Sequence, residues 1–290
     1  MTMFFLTAVF ICLISVSVQA QYYTGPISSA MGGAGRAASE PEEGVFLNPA
    51  VLPHAREFST ALFYSDGLLG KDLRQRDLVV SFVDNTEGIV IPGSISYLRR
   101  RRTFPNKPSV KEEYYQVAVG QFATQYLSLG LGIHYRTVDQ EDGGDDFSYW
   151  GGTLGTLWAP SPEWGVALVY DNFTVIGNRI PLGHLKNIPE LGIGFVYLYK
   201  TILKVRFDIS KLLQENRDKR WKVGLGMETY VNNFMALRIG AQTDKVSGQE
   251  FLTLGWAFLG PRLKIDYSFF KNIKDSKGVM HSIDLRVPFW

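Results

Sequence analysis

The chain has 290 residues, with 30 Lys and Arg against 28 Asp and Glu, a formal net charge of +2. A nucleic-acid binder would carry a marked basic excess, so that class is excluded. Hydrophobic residues make up 46% and charged residues 20%; after the N-terminus no apolar run reaches the roughly 18 residues of a spanning helix, which excludes a helical bundle in a bilayer but not a β-barrel, whose strands hide one apolar face inside average composition.

Phe4 to Val18 form an apolar core, and Val18-Gln19-Ala20 places small residues at the −3 and −1 positions before Gln21. This reads as an export signal over residues 1–20, removed on export. No Lys or Arg precedes the core, so the free amine supplies the positive end. The alternative, an uncleaved anchor, lacks stop-transfer flanks. Cys12, the single cysteine, lies inside this segment, so the mature chain has neither disulfides nor a cysteine metal site.

Residues 21–56 are rich in Gly, Ala, Ser and Pro and show no strand period. Gly33-Ala34-Gly35-Arg36-Ala37-Ala38 formally matches a dinucleotide fingerprint, but no apolar strand leads in and no βαβ unit follows. A compact plug is the favoured reading, because small residues pack closely and "VFLNPAVL" offers apolar anchors. A free periplasmic tail is the alternative.

From residue 57 to 290 the chain falls into segments with period-2 patterning, the mark of strands with one apolar face. In "QYLSLGLGIHYR", Leu127, Leu129, Leu131, Ile133 and Tyr135 oppose Ser128, Gly130, Gly132, His134 and Arg136. "ILKVRFDIS", "RWKVGLGMETY", "RLKIDYSFFK" and the terminal "MHSIDLRVPFW" repeat the pattern. The segments run roughly 9 to 12 residues, long for soluble strands and suited to tilted membrane crossings. Tyr and Trp recur near their ends, as aromatic girdles at two membrane–water interfaces would require.

Short connections (Asp84–Gly88, Ala123–Gln125, Ala159–Glu163, Lys200–Thr201, Val231–Asn233, Gly260–Pro261) take turns without exception with longer polar ones (Ser65–Arg76, Arg99–Glu113, Thr137–Asp146, Asp171–Asn187, Lys211–Lys219, Asp244–Gln249, Asn272–Gly278). This alternation predicts an all-β, antiparallel up-and-down transmembrane barrel of about fourteen strands, with tight periplasmic turns and longer external loops. The final strand must close against the first, because an open edge in lipid leaves backbone groups unpaired.

The segment "SSAMGGAGRAASEPEEGVFLNPAVLPH" resembles the N-terminal signature of the FadL/TodX superfamily of outer-membrane transporters and its shorter PorV-like branch: a small-residue "MGGAG.A" stretch, acidic residues, then "NPA" near the first strand. "IPELGIGFVY", "MALRIGAQ", "LKIDYSFF" and "GVMHSIDLRVPFW" resemble later strands of the same family. The resemblance implies fourteen strands, an N-terminal hatch inside the lumen, and a hatch or ligand region at Gly32, Gly33, Gly35, Asn48, Pro49 and Ala50. It also implies location in the outer membrane of a diderm bacterium. The partners it implies are outer-membrane lipids and lipopolysaccharide, the barrel assembly machinery, which recognises a Phe-terminated last strand (Phe289 here, with Trp290 one step past), and a hydrophobic small molecule as ligand.

In such transporters a kink in the third strand opens a side gap to the bilayer. The third segment here, "GIVIPGSISYL", contains Pro92-Gly93, a pair expected to break or bulge the strand. A lateral opening is one reading and a simple shaping bulge the other. Arg99, Arg100, Arg101 and Arg102 are expected to begin an external loop, either clamping lipopolysaccharide phosphates or simply solvated. The acidic "DQEDGGDD" lacks EF-hand spacing; it is solvated, or at most holds a divalent ion loosely, and neither metal site nor cofactor is assigned. Lumen-facing Lys204, Arg206, Asp208, Lys222, Glu228, Arg238, Lys264, Asp266, Asp284 and Arg286 are expected to form a cross-strand charge network, since buried charges need partners. None of the four histidines, His54, His134, His184 and His281, sits in a triad pattern, so no enzyme is expected. The external loops carry little apolar surface apart from Phe173 to Leu185. The reading is passive transport of small hydrophobic, fatty-acid-like compounds; the alternative is a PorV-like scaffold or shuttle for exported proteins.

Overall fold

The structure is a computed structural model, and it describes residues 25–38, 40–69, 73–105, 107–141, 146–178, 188–200, 202–213 and 221–289. The expected export signal, Trp290, residues 142–145 of the acidic run and residues 179–187 of the apolar loop, with His184, lie outside the described residues.

Alternating side chains build fourteen strands: β1 (Phe58–Leu68), β2 (Arg74–Asp84), β3 (Gly93–Phe104), β4 (Lys107–Phe122), β5 (Leu127–Gln140), β6 (Phe147–Ser161) and β7 (Trp164–Asn178). The second half comprises β8 (Glu190–Tyr199), β9 (Leu203–Leu212), β10 (Trp221–Asn232), β11 (Met235–Asp244), β12 (Gln249–Leu259), β13 (Lys264–Asn272) and β14 (Val279–Phe289). Each pairs antiparallel with its sequence neighbours, and β14 returns to β1 with Phe58 opposite Phe289 and Leu68 opposite Val279. The fourteen-stranded closed barrel anticipated from the period and the turns is therefore the observed fold. Closure leaves no edge, which is what lets a sheet cross lipid without unpaired N–H and C=O groups.

The usual distribution of polarity is inverted. Phe82, Ile95, Val117, Ile133, Leu154, Leu225, Ile239 and Leu254 are exposed on the outer face, while Ser81, Ser96, Gln116, His134, Thr153 and Glu228 are buried toward the lumen. Two aromatic belts bound the apolar band. Tyr97–Tyr115 (5.0 Å between ring centroids) and Tyr135–Trp150 (4.9 Å) mark the external side. Phe58–Phe289 (5.5 Å) and Trp158–Trp164 (5.1 Å) mark the rim where the chain enters β1, periplasmic by the reading above. Leu131 sits midway between the belts on β5, opposite Val119 and Leu154. A Leu131→Arg substitution is expected to destabilise the barrel by about 2–4 kcal/mol, the cost of a charge at mid-bilayer depth. Urea unfolding in lipid vesicles measures it, with Arg at an external-belt position as the milder control.

Two expectations about connections are corrected. Much of what read as external loop is strand: β1 runs on to Leu68, β5 to Gln140, and the Arg99–Glu113 stretch is a tight hairpin between Phe104 and Lys107. The wall protrudes above the external belt because charges that look like loop residues pair across strands, as Arg74 does with Asp66 (2.8 Å) and Arg100 with Asp77 (2.8 Å). Conversely, the β2–β3 connection at the periplasmic rim spans residues 85–92, longer than that external hairpin. Short and long do not alternate strictly.

Residues 25–56 occupy the lumen. Helix α1 (Pro26–Ala30) lies against β11–β14, helix α2 (Pro41–Leu47) against β1 and β2, and a 3-10 helix (Pro49–His54) against β4–β6. Pro at the first position of each element costs no hydrogen bond there. The Glu43 carboxylate accepts from Ile27 N (2.8 Å) and Ser28 N (3.0 Å) and from the Ser28 hydroxyl, tying α2 to the exposed donors of α1.

Candidate functional site

The candidate site is the contact between this N-terminal segment and the lumen wall. The first component is steric. A Cβ added at Gly226 would meet Met31 Cα and O at 2.5 Å, and one at Gly130 would meet Ala50 N at 2.2 Å. Gly120, Gly155, Gly192, Gly194, Gly224, Gly240 and Gly255 likewise admit atoms of the segment where a side chain would stand. The wall is cut away along the path of the segment, which lies backbone to backbone on it. Gly32 (φ 68°) and Gly33 (φ 79°) turn the chain between α1 and the next stretch, a left-handed conformation that favours glycine.

The second component is polar. Asp208 on β9 accepts from Gly35 N (3.0 Å), Arg36 N (3.0 Å) and Arg36 Nη1 (3.2 Å). Arg36 Nη2 donates to Glu190 on β8 (2.5 Å). Asn48 Nδ2 donates to Arg36 O (2.9 Å) and Thr156 O (3.1 Å), while its Oδ1 caps the 3-10 helix at Ala50 N (3.0 Å). Gln116 Nε2 donates to Val45 O (2.8 Å). At the wall's foot Ser128 Oγ donates to Ala50 O (2.7 Å), and His54 Nε2 lies 3.0 Å from the same hydroxyl. Apolar cover comes from Phe46, which packs on a lumen cluster of Phe63, Val79, Leu98 and Tyr114.

These contacts place Gly32, Gly33, Gly35, Asn48, Pro49 and Ala50 together against the wall. The expected single cross-strand charge network is instead several local ones. Arg238 bridges Glu228 (2.5 Å) and Asp266 (2.5 Å), and Asp266 also accepts from Arg286. Asp208 serves Arg36 of the segment rather than a neighbouring strand, and Lys264 stands near the rim, 3.5 Å from Glu57. Arg206, fully buried, has no hydrogen-bonding partner among the described residues.

The four-arginine run is corrected. It lies within β3, so alternate residues take opposite faces. Arg100 pairs with Asp77 and Arg102 with Glu112 (2.6 Å) inside the lumen, where Arg136 shares Glu112 (2.7 Å). Only Arg99 and Arg101 face outward, and Arg101 meets Glu141 (2.7 Å).

Pro92-Gly93 does not interrupt the wall as expected. Strand β3 begins at Gly93 and pairs continuously with β2 to Thr103 and with β4 to Arg102. Pro92 lies at its foot, where the missing N–H falls outside the ladder; its carbonyl still accepts from Gly120 N (3.0 Å). The strand irregularity sits elsewhere. Between Gly151/Val175 and Thr153/Asp171 the β6–β7 register shifts, and Asn172 takes φ 54°. The bulge lays Phe173 over Gly152.

Arg36, Glu190 and the glycine cradle were not singled out from the sequence. The signal was present: Gly130/Gly132, Gly192/Gly194 and Gly224/Gly226 each repeat at period two on a polar face, where a lumen side chain would otherwise project.

No protein-family model matches the sequence, and no curated protein matches it. Solved structures share the fold. The chain superposes on the CymD monoaromatic hydrocarbon channel with a TM-score of 0.72 at 15% identity, covering 91% of this chain and 97% of that one. A Pseudomonas aeruginosa FadL homologue gives 0.67 at 13% identity, covering 95% and 100%. The Ralstonia pickettii toluene transporter TbuX gives 0.64 at 13%, covering 93% and 98%. The architecture is that of FadL-type barrels.

Proposed function

We propose that this protein is an outer-membrane channel for the passive passage of small hydrophobic compounds, exported with loss of residues 1–20 and gated by residues 25–56 as a hatch. The observation that carries the reading is a closed membrane barrel whose lumen is recessed to receive its own N-terminal segment, on a fold shared with a monoaromatic hydrocarbon channel and a toluene transporter. Cargo would leave at the foot of β3, where Pro92 and Val90 are held to β4 by single hydrogen bonds from Gly120 N and Gln121 Nε2 after β2 has ended at Asp84. Arg99 and Arg101, exposed on the outer face beyond Tyr97, would meet lipopolysaccharide phosphates, Arg101 by leaving Glu141. The test is uptake of radiolabelled toluene and of a medium-chain fatty acid by intact diderm cells expressing the protein. Uptake above the empty-vector rate, with no gain for a sugar of similar size, is expected. Equal rates for all three against the control would overturn the channel.

A second reading, a PorV-like scaffold or shuttle for exported proteins, is favoured by one feature: ion pairs of Asp77, Arg100, Arg102, Glu112 and Arg136 line the external part of the lumen across β2–β5. It predicts exported proteins co-purifying with the barrel and no uptake of either compound.

A further inference from the structure

The wall is not evenly sealed. On β7, Asn172, Phe173 and Thr174 stand between the pairs Thr153/Asp171 and Gly151/Val175, so three residues face the single residue Gly152 of β6. On the other side β8 begins at Glu190, opposite Asp171, and among the described residues none of β8 is registered beyond it. Gly152 pairs with Ile133 and lies between Trp150 of the external belt and Leu154 at mid-depth. The interruption therefore opens on hydrocarbon, where backbone without a ladder is costly. Bulges that persist at such a cost recur beside functional sites.

Side chains fix the interruption in place. Thr153 Oγ1 donates to Asp171 Oδ1 (2.5 Å) and Asn172 Nδ2 to Asp171 Oδ2 (3.0 Å), which holds its lower edge. Asn172 keeps φ 54°, a left-handed conformation that Asn tolerates, and its buried Oδ1 has no hydrogen-bonding partner among the described residues. Two rings close the opening. Outside, Phe173 covers Gly152, where an added Cβ would meet Phe173 Cε1 at 2.5 Å. Inside, His134 fills the space over Gly151 and stacks on Tyr114 (4.8 Å between ring centroids). Tyr114 belongs to the apolar lumen cluster on which Phe46 of the N-terminal segment packs.

For an apolar compound the external mouth is the poorer path to that cluster. Beyond Leu98 and Tyr114 the next lumen-facing pair is Arg100 and Glu112, with Asp77, Arg102 and Arg136 tied to them. Stripping water from such groups against an apolar surface is unfavourable. Apolar compounds concentrate instead in the lipid, and from there the described rings in the way are those of Phe173 and His134.

We propose that the β6–β7 interruption is a lateral entrance, through which small neutral apolar compounds dissolved in the outer leaflet pass into the lumen above the N-terminal segment. Phe173 is its outer flap and His134 its inner one. The entrance presupposes the channel reading above and supplies its upstream end: cargo comes in from lipid between β6 and β7 and leaves at the foot of β3.

The experiment uses the full barrel in a Cys12→Ser background, so that each introduced cysteine is the single one. In proteoliposomes Phe173→Cys should react with a small water-soluble methanethiosulfonate at least about tenfold faster than Ile133→Cys, which faces lipid at the same level, opposite Gly152. In intact cells the labelled Phe173→Cys barrel should take up radiolabelled toluene at least about threefold more slowly than the same variant unlabelled. Thr174→Cys, exposed in the same interruption, carries both measurements if Phe173→Cys loses the heat-modifiable mobility of a folded barrel. Equal reactivity at positions 173 and 133, or labelling that leaves uptake unchanged, overturns the entrance and leaves the channel standing. Toluene uptake by wild type no higher than with empty vector overturns the channel itself, and the entrance with it.

Discussion

In an Asp208→Ala variant, trypsin is expected to cut after Arg36 in a barrel that otherwise stays folded. All three donors that Asp208 serves belong to the N-terminal segment: the backbone N–H groups of Gly35 and Arg36 and the Arg36 guanidinium. Removing the carboxylate leaves two buried N–H groups without an acceptor and the guanidinium with Glu190 alone. Breaking one side of a buried ion pair costs about 3–5 kcal/mol, and that loss falls on docking of the segment rather than on the β-ladder, whose own hydrogen bonds are untouched. Asp208→Asn keeps an oxygen for the backbone donors and should cost only about 1–3 kcal/mol, with slower cleavage. Two readouts separate local from global effects. Heat-modifiable mobility reports the barrel, and the rate of cleavage at Arg36 reports the segment. Protection of Arg36 equal to wild type would mean that Asp208 is not its anchor.

The second large effect is steric. Gly226→Leu together with Gly130→Leu should exclude the segment from the lumen. At both positions the intruding Cβ meets backbone, Met31 Cα and O at 2.5 Å and Ala50 N at 2.2 Å, so no rotamer change relieves the clash. Overpacking costs about 1–3 kcal/mol where neighbours can shift; backbone held on both sides cannot, and the loss should be larger. The strands gain rather than lose β propensity, since glycine weakens a strand. The expected product is a folded barrel with an open lumen, read as swelling of proteoliposomes in a small sugar that wild type does not pass. Leu225→Ala, next to Gly226 but facing lipid, should leave the vesicles as tight as wild type. A double variant equally tight would show that the segment is not what closes the lumen.

The local alternation of Leu127 to Tyr135, or of Leu203 to Ile209, was readable because a strand has period two and one face must meet lipid. Strand number and closure followed from the turns. The glycine positions were visible too, yet their meaning was not, because a missing side chain announces space without saying what fills it. The arginine run was misplaced for a related reason. Four consecutive cations resemble a solvated loop until Asp77 and Glu112 are brought beside them by the neighbouring strands. Pro92 was read as a mid-strand break, but chain order alone does not set where a ladder starts; its position outside the ladder depends on the β2 register, with Asp84 opposite Gly93.

Fold class, lipid-facing face and the identity of the lumen segment were thus properties of the linear order of residues, since each rests on short-range periodicity and composition. The partners of the buried charges were not. Asp208 meets Arg36 across 172 positions of chain, and Arg238 meets Glu228 and Asp266 across 10 and 28. Among the described residues Arg206 is left without an acceptor by the same closure. Which lumen charges meet is set by strand stagger and by where the N-terminal segment comes to rest, and both exist only once β14 has closed on β1.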